Sequence, residues 1–299
     1  MTHPGTPRRT LLALATAIAL VVVAGAVGTG LSLGGSPKPI QTNAAPAAFD
    51  PGAIISDYNF FNPDAMTEAD IQSFLENRDC VAQPGAPCLW EYRETTTAEP
   101  ARGAGHCEAY RPAADERASR IIAKVAKACT ISPRVLLVLL QKEQSLLTRP
   151  SASGYLRATG YGCPDTADCD TKYFGFFNQV YRAAWQFRQY TQEPERAYKV
   201  GVVEVGYNPD TSCGATPVRI RNQATANLYN YTPYQPNRAA LADPGSGGDG
   251  CSTYGNLNFW LFYNDWFGPP QTEGYPALFG SCLNLVGGQP CPAPELWPG

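Results

Sequence analysis

Apolar side chains fill every position from Val135 to Leu140 and return at Leu146 and Leu147, leaving this stretch no polar face of its own. Ser132 followed by Pro133 suits an N-cap and a first turn, and Thr148-Arg149-Pro150 ends the run, so the pattern predicts a helix over residues 132–147. A helix apolar on nearly all sides belongs inside a core. Glu143 falls on the face shared by Leu136, Leu139, Leu140 and Leu147. An apolar surround there favours a carboxyl in its neutral form, which is what cleavage of a glycosidic bond requires.

The rest of the chain reads as short elements around that helix. Thr67-Glu68-Ala69-Asp70 resembles a capping box and Ile71, Phe74 and Leu75 form an apolar face, predicting a helix to about Asn77. Ala118, Ile121, Ile122, Val125, Ala126 and Cys129 recur at helical spacing over residues 115–129, joined to the central helix by Thr130-Ile131. Residues 151–170 are rich in Gly, Ser and Asp and predict a loop. Tyr173-Phe174-Gly175-Phe176-Phe177-Asn178-Gln179 then crowds aromatics round a glycine before a helix over 180–190. A glycine in such company suits a place where a ligand approaches the backbone, and aromatic faces suit sugar rings. Residues 200–207 and 217–220 flank Asn208-Pro209-Asp210 and predict a small β-hairpin, followed by helices over 222–230 and 255–266. Between these last two stands Tyr231-Thr232-Pro233-Tyr234-Gln235-Pro236-Asn237, polar, aromatic and stiffened by two prolines.

Composition narrows the function. The N-terminus carries Arg8-Arg9, an apolar run from Leu11 to Val27 and an Ala-rich stretch ending in Ala47-Ala48, the pattern of a secretion signal or of a membrane anchor that stays attached. Without residues 1–43 the chain holds 20 Lys+Arg against 26 Asp+Glu and no basic block, which argues against nucleic acid as a partner. Ten cysteines, all after residue 79, fit an oxidising compartment. Neighbour pairing (Cys80 with Cys88, Cys107 with Cys129, Cys163 with Cys169, Cys213 with Cys251, Cys282 with Cys291) gives short loops throughout. One histidine, His106, lies outside the leader, which leaves little for Ser-His-Asp, Cys-His or His-rich metal chemistry. Carboxylates and tyrosines remain. Glu143 is the candidate acid, and Asp165, Asp168 and Asp170 are candidates for a second carboxylate, against a plain reading as turn residues.

These residues resemble a known family. The helix ending Gln141-Lys142-Glu143-Gln144-Ser145-Leu146 resembles the catalytic helix of the lysozyme-like superfamily, in which goose-type lysozymes and lytic transglycosylases end a buried apolar helix with the acid. Gly175-Phe176-Phe177-Asn178-Gln179 resembles their Gly-Leu-Met-Gln turn with one residue more, which leaves both Asn178 and Gln179 as candidates to face substrate. The Tyr231 region is similar to their tyrosine-bearing groove segment. A glucosaminidase relative, with an acid helix followed by a Phe-Gly turn, fits Tyr173 to Phe176 equally well. Residues 115–268 also resemble secreted actinobacterial haemagglutinin-like proteins that carry Gln-Lys-Glu-Gln-Ser-Leu, Gly-Tyr-Gly-Cys-Pro-Asp, Tyr-Thr-Pro-Tyr-Gln-Pro-Asn and Asn-Asp-Trp-Phe-Gly. One departure stands at Gln144, where the superfamily has Ser directly after the acid.

The resemblance implies a predominantly helical α+β fold of lysozyme-like type, with a small β-hairpin and stabilising disulfides. Composition and pattern divide the chain into a leader with linker (1–45), a loop-rich segment with a short helix (46–110), a domain that the resemblance makes catalytic (111–268) and a Pro/Gly-rich tail (269–299). The resemblance implies a secreted or envelope-anchored monomer that cleaves β-1,4 bonds in the glycan strands of peptidoglycan, as muramidase, lytic transglycosylase or glucosaminidase. Glu143 would be the general acid, and Gln179, Asn178, Tyr173, Phe176, Tyr231 and Tyr234 would hold the glycan. No metal or organic cofactor is implied. The alternative is a non-catalytic glycan-binding module on the same scaffold.

Overall fold

The computed structural model describes residues 45–164, 168–193, 195–245 and 247–273. The leader, Asp165, and the tail from residue 274 with Cys282 and Cys291 lie outside the described residues. No helix among the described residues is long and apolar enough to cross a membrane.

Two short helices open the chain, α1 (Asp57–Phe60) and α2 (Glu68–Glu76). Helix α2 starts on the expected capping box: Thr67 Oγ1 accepts from Asp70 N at 3.2 Å and Asp70 Oδ2 accepts from Thr67 N at 2.9 Å. Strand β1 (Arg93–Glu94) then pairs antiparallel with β2 (Glu116–Arg117), which leads directly into α3 (Ala118–Cys129). The helix thus begins later than its periodicity predicts, because Glu116 and Arg117 are drawn into the strand pair and Asp115 turns through a positive φ of 51°. A buried network secures this corner. Glu116 accepts from Thr96, Tyr110 and Lys124. Burial pushes its carboxyl up, and those hydrogen bonds outweigh burial and hold it below the usual carboxylate range.

Helix α4 (Pro133–Gln144) is the centre of the fold, with Val135 to Leu140 fully buried. It packs against α3, against α1 and against the last helix, α9 (Gly255–Phe267), with α5 (Ala152–Leu156), α6 (Phe176–Gln192), α7 (Gln223–Tyr231) and α8 (Arg238–Ala242) between them in sequence. Truncating one of the α4 leucines to alanine in such a setting costs about 2–5 kcal/mol. The helix ends sooner than predicted. Ser145 takes a left-handed conformation, φ 53°, and reverses the chain, so Leu146 and Leu147 reach the core from outside the helix. The Gln141 amide stitches this reversal, accepting from Leu147 N at 3.1 Å and donating to Thr148 Oγ1 at 3.0 Å. At the other end Ser132 occupies the cap position, but its hydroxyl makes no capping bond, and its backbone N–H donates to Phe60 O instead.

The hairpin is present as β3 (Gly201–Gly206) and β4 (Ala215–Ile220), antiparallel with Val203 opposite Val218. The architecture is therefore mainly helical with two small antiparallel sheets among the described residues. Four disulfides join Cys80 to Cys88, Cys107 to Cys129, Cys163 to Cys169 and Cys213 to Cys251, each the neighbour pairing read from the sequence. The expected pair Cys282 and Cys291 falls outside the described residues.

Candidate functional site

Glu143 stands in the last turn of α4, just before the reversal at Ser145, with its side chain 23% exposed. The apolar enclosure expected of it is only partial: its Oε1 meets the ammonium of Lys142, itself almost buried, and Lys142 Nζ also donates to Thr232 Oγ1 at 3.0 Å. Backbone supplies another wall. Gly160 turns with φ 72° directly over the carboxyl, so that a Cβ on it would lie 3.6 Å from Glu143 Oε2. Only glycine takes that turn without strain and leaves the approach open.

Tyr231 closes the wall. Its ring packs on Phe187 with centroids 4.9 Å apart, and its hydroxyl donates to Thr159 O at 2.7 Å. Burial pushes the phenol well above its ordinary value, and the neighbouring Glu143 carboxylate adds to that. Tyr190 behind it is pushed up to about 12 by burial. The Thr159 to Tyr161 loop owes its shape to Gln179, in the first turn of α6. Gln179 Oε1 accepts from Thr159 N at 3.2 Å and Tyr161 N at 3.1 Å, while Nε2 donates to Tyr161 O and Tyr173 O.

That arrangement corrects several expectations. Gln179 is fully buried with both amide donors used, so it shapes the loop from behind and does not face substrate. Phe176 is likewise a core residue, its ring 5.1 Å from that of Tyr92. Gly175, at φ 104°, is approached by the Glu94 carboxylate, to which a Cβ there would come within 3.3 Å. Asp170 is a local cap, accepting from Lys172 N and pairing with Lys172 Nζ at 2.6 Å, and Asp168 is exposed on its loop. Tyr234 lies against Gly206 of the hairpin, two residues beyond Thr232.

Tyr173 and Asn178 belong to a neighbouring hollow of about 570 Å³ that also takes in Glu94. Tyr161, next to Gly160, meets Tyr173 edge to face at 4.8 Å and so joins the two places. Glu94 was invisible in the sequence. Its Oε2 accepts from Phe177 N at 2.9 Å, at the start of α6, and from Tyr92 Oη at 3.4 Å. Burial nevertheless pushes Glu94 above the usual carboxylate range. For Lys142 the sequence does carry a signal, a lysine beside the acid of an otherwise apolar helix. Among the described residues no three of His, Cys, Asp and Glu gather closely enough to hold a metal ion.

The family model described as LasA, N-terminal domain matches residues 53–276 of the chain. No curated protein and no solved structure matches the chain.

Proposed function

The chain belongs to the LasA N-terminal domain family, and from that premise we propose that it is a secreted enzyme of the cell wall which cleaves the β-1,4 bonds of peptidoglycan glycan strands with Glu143 as general acid. The disulfide framework supports the export half of this reading, since such bonds persist in oxidising compartments. One observation carries the chemical half. A single carboxyl emerges from the end of a buried apolar helix, partly open to solvent, with a glycine turn laid against one side and a buried tyrosine beside it. The acid at the end of a buried helix and the tyrosine are parts of the lysozyme-like resemblance, whereas the Gly160 turn is a feature of this chain's own geometry.

In this reading the glycan lies over Gly160, and Glu143 gives its proton to the departing glycosidic oxygen as the bond to the anomeric carbon breaks. Lys142, tied to Thr232, fixes the carboxyl from one side. The oxocarbenium-like centre is then trapped either by water or by a hydroxyl of the substrate itself. Trapping by water would call on Asp165, Asp168 or Asp170 as a second carboxylate, of which Asp170 is paired with Lys172; trapping by the substrate, as in a lytic transglycosylase, gives an anhydro product.

Incubating the protein and its Glu143→Gln variant with purified peptidoglycan, then analysing soluble muropeptides by mass spectrometry, tests this. Release by the wild type and loss of at least about a hundredfold in the variant are expected for a general acid. The fragment ends report water or intramolecular trapping. The Lys142 contact, which occupies the acid, favours a second reading as a glycan-binding module. Binding to peptidoglycan by both proteins without release would select it.

A further inference from the structure

We propose that the hollow beside Glu94 is a second carbohydrate subsite, one that takes an uncharged, hydroxyl-rich sugar unit of the same strand that Glu143 meets. The inference rests on the glycan reading of the Glu143 site. At about 570 Å³ the hollow lies within the size of small-ligand pockets, roughly 300–1,000 Å³. Its lining has the chemistry of a sugar site: the hydroxyls of Thr95 and Thr97, the ring of Tyr173, the carboxyl of Glu94, and the amide of Asn178, which also donates to Lys172 O.

Charge argues against an anion. Three cations border the hollow, and each is already held by an acid. Arg102 and Arg182 pair with Glu99 at 2.6 and 2.8 Å, and Lys172 pairs with Asp170. With Glu94 also on the wall, acids and cations around the hollow balance, which suits an uncharged ligand. Glu94 uses Oε2 for Phe177 N and Tyr92 Oη, which leaves Oε1 without a hydrogen-bond donor among the described residues, beside a glycine that adds no side chain. A partly buried acceptor with an open approach suits a sugar hydroxyl. The Tyr161 and Tyr173 rings, in edge-to-face contact at 4.8 Å, lead from beside Gly160 to this hollow, so that one strand lying over Glu143 reaches it along them.

The test measures the binding of β-1,4-linked N-acetylglucosamine oligomers of two and of five units by titration calorimetry. The full chain is used in the Glu143→Gln background, so that nothing is cleaved. The parent should bind the longer oligomer about tenfold or more tightly than the shorter, some 1.4 kcal/mol. Glu94→Gln, which keeps an oxygen for Phe177 N, and Asn178→Ala, on a half-exposed side chain, should each remove most of that gain while changing affinity for the short oligomer by less than about twofold. Should both variants keep the full gain, or the parent have none, the hollow is no subsite, although the reading of Glu143 stands. A parent that binds neither oligomer would remove both.

Discussion

The ammonium of Lys142 meets the carboxylate of Glu143, its immediate neighbour on α4. Adjacent helical residues ordinarily point apart, so this contact exists because the helix stops there and Thr232 draws the lysine over, accepting from its Nζ at 3.0 Å. Lys142→Met keeps the buried stem and removes both polar contacts. A hydrogen bond to a charged group is worth about 1.5–3 kcal/mol, so muropeptide release should fall by about tenfold or more if the clamp fixes the acid. Release at the wild-type rate would mean that Lys142 is only packing.

Gln179 gives the opposite kind of expectation. Its amide makes four contacts with the backbone of Thr159, Tyr161 and Tyr173, the one to Thr159 buried and the others partly so. Gln179→Ala leaves buried N–H groups unpaired, each costing about 1–3 kcal/mol, and should lower stability in urea by roughly 2–4 kcal/mol. A residue that served only as a sugar ligand would show lost affinity with unchanged stability.

Tyr231→Phe separates ring from hydroxyl. The ring stays on Phe187, while the bond to Thr159 O at 2.7 Å is lost. Stability should drop by about 0.5–1.5 kcal/mol. Because Thr159 precedes the glycine that lies on Glu143, release should drop further than this change in stability alone would cause. Thermal melts and muropeptide release, measured on the same preparations, check the two parts.

What could be read from the sequence was whatever repeats at short range. The apolar run of α4, the Thr67 capping box, the hairpin and four cysteine pairs all rest on residues at most a few dozen positions apart. The end of α4 escaped because its left-handed residue is Ser145 rather than a glycine. Phe176 and Tyr173 looked alike in an aromatic run, yet one faces the core and the other the Tyr161 ring, a difference set by where α6 begins. Glu94 was hidden for a different reason. Its partner is the N–H of Phe177, 83 residues away, and no local pattern announces such a bond.

Asp57 makes stability depend on pH. It lies buried in α1, and its Oδ1 accepts from Ala224 N at 2.7 Å, at the start of α7. Burial pushes its carboxyl from 3.8 up to about 6, although the hydrogen bonds from Ala224 and Gln223 work the other way. The folded protein therefore holds this proton more tightly than the unfolded chain. The resulting stabilisation is complete below about pH 4 and is lost as pH rises through about 6, an upper limit of about 3 kcal/mol for a shift of this size. Asp57→Asn keeps an acceptor for Ala224 N and cannot titrate. Other carboxyls, Glu116 among them, shift the opposite way and are common to both proteins, so the difference between wild type and variant isolates Asp57. Urea unfolding at pH 4, 5, 6 and 7 should show the wild type losing stability relative to Asp57→Asn across that range. Parallel curves would mean that Asp57 is solvated in the folded state or stays charged throughout.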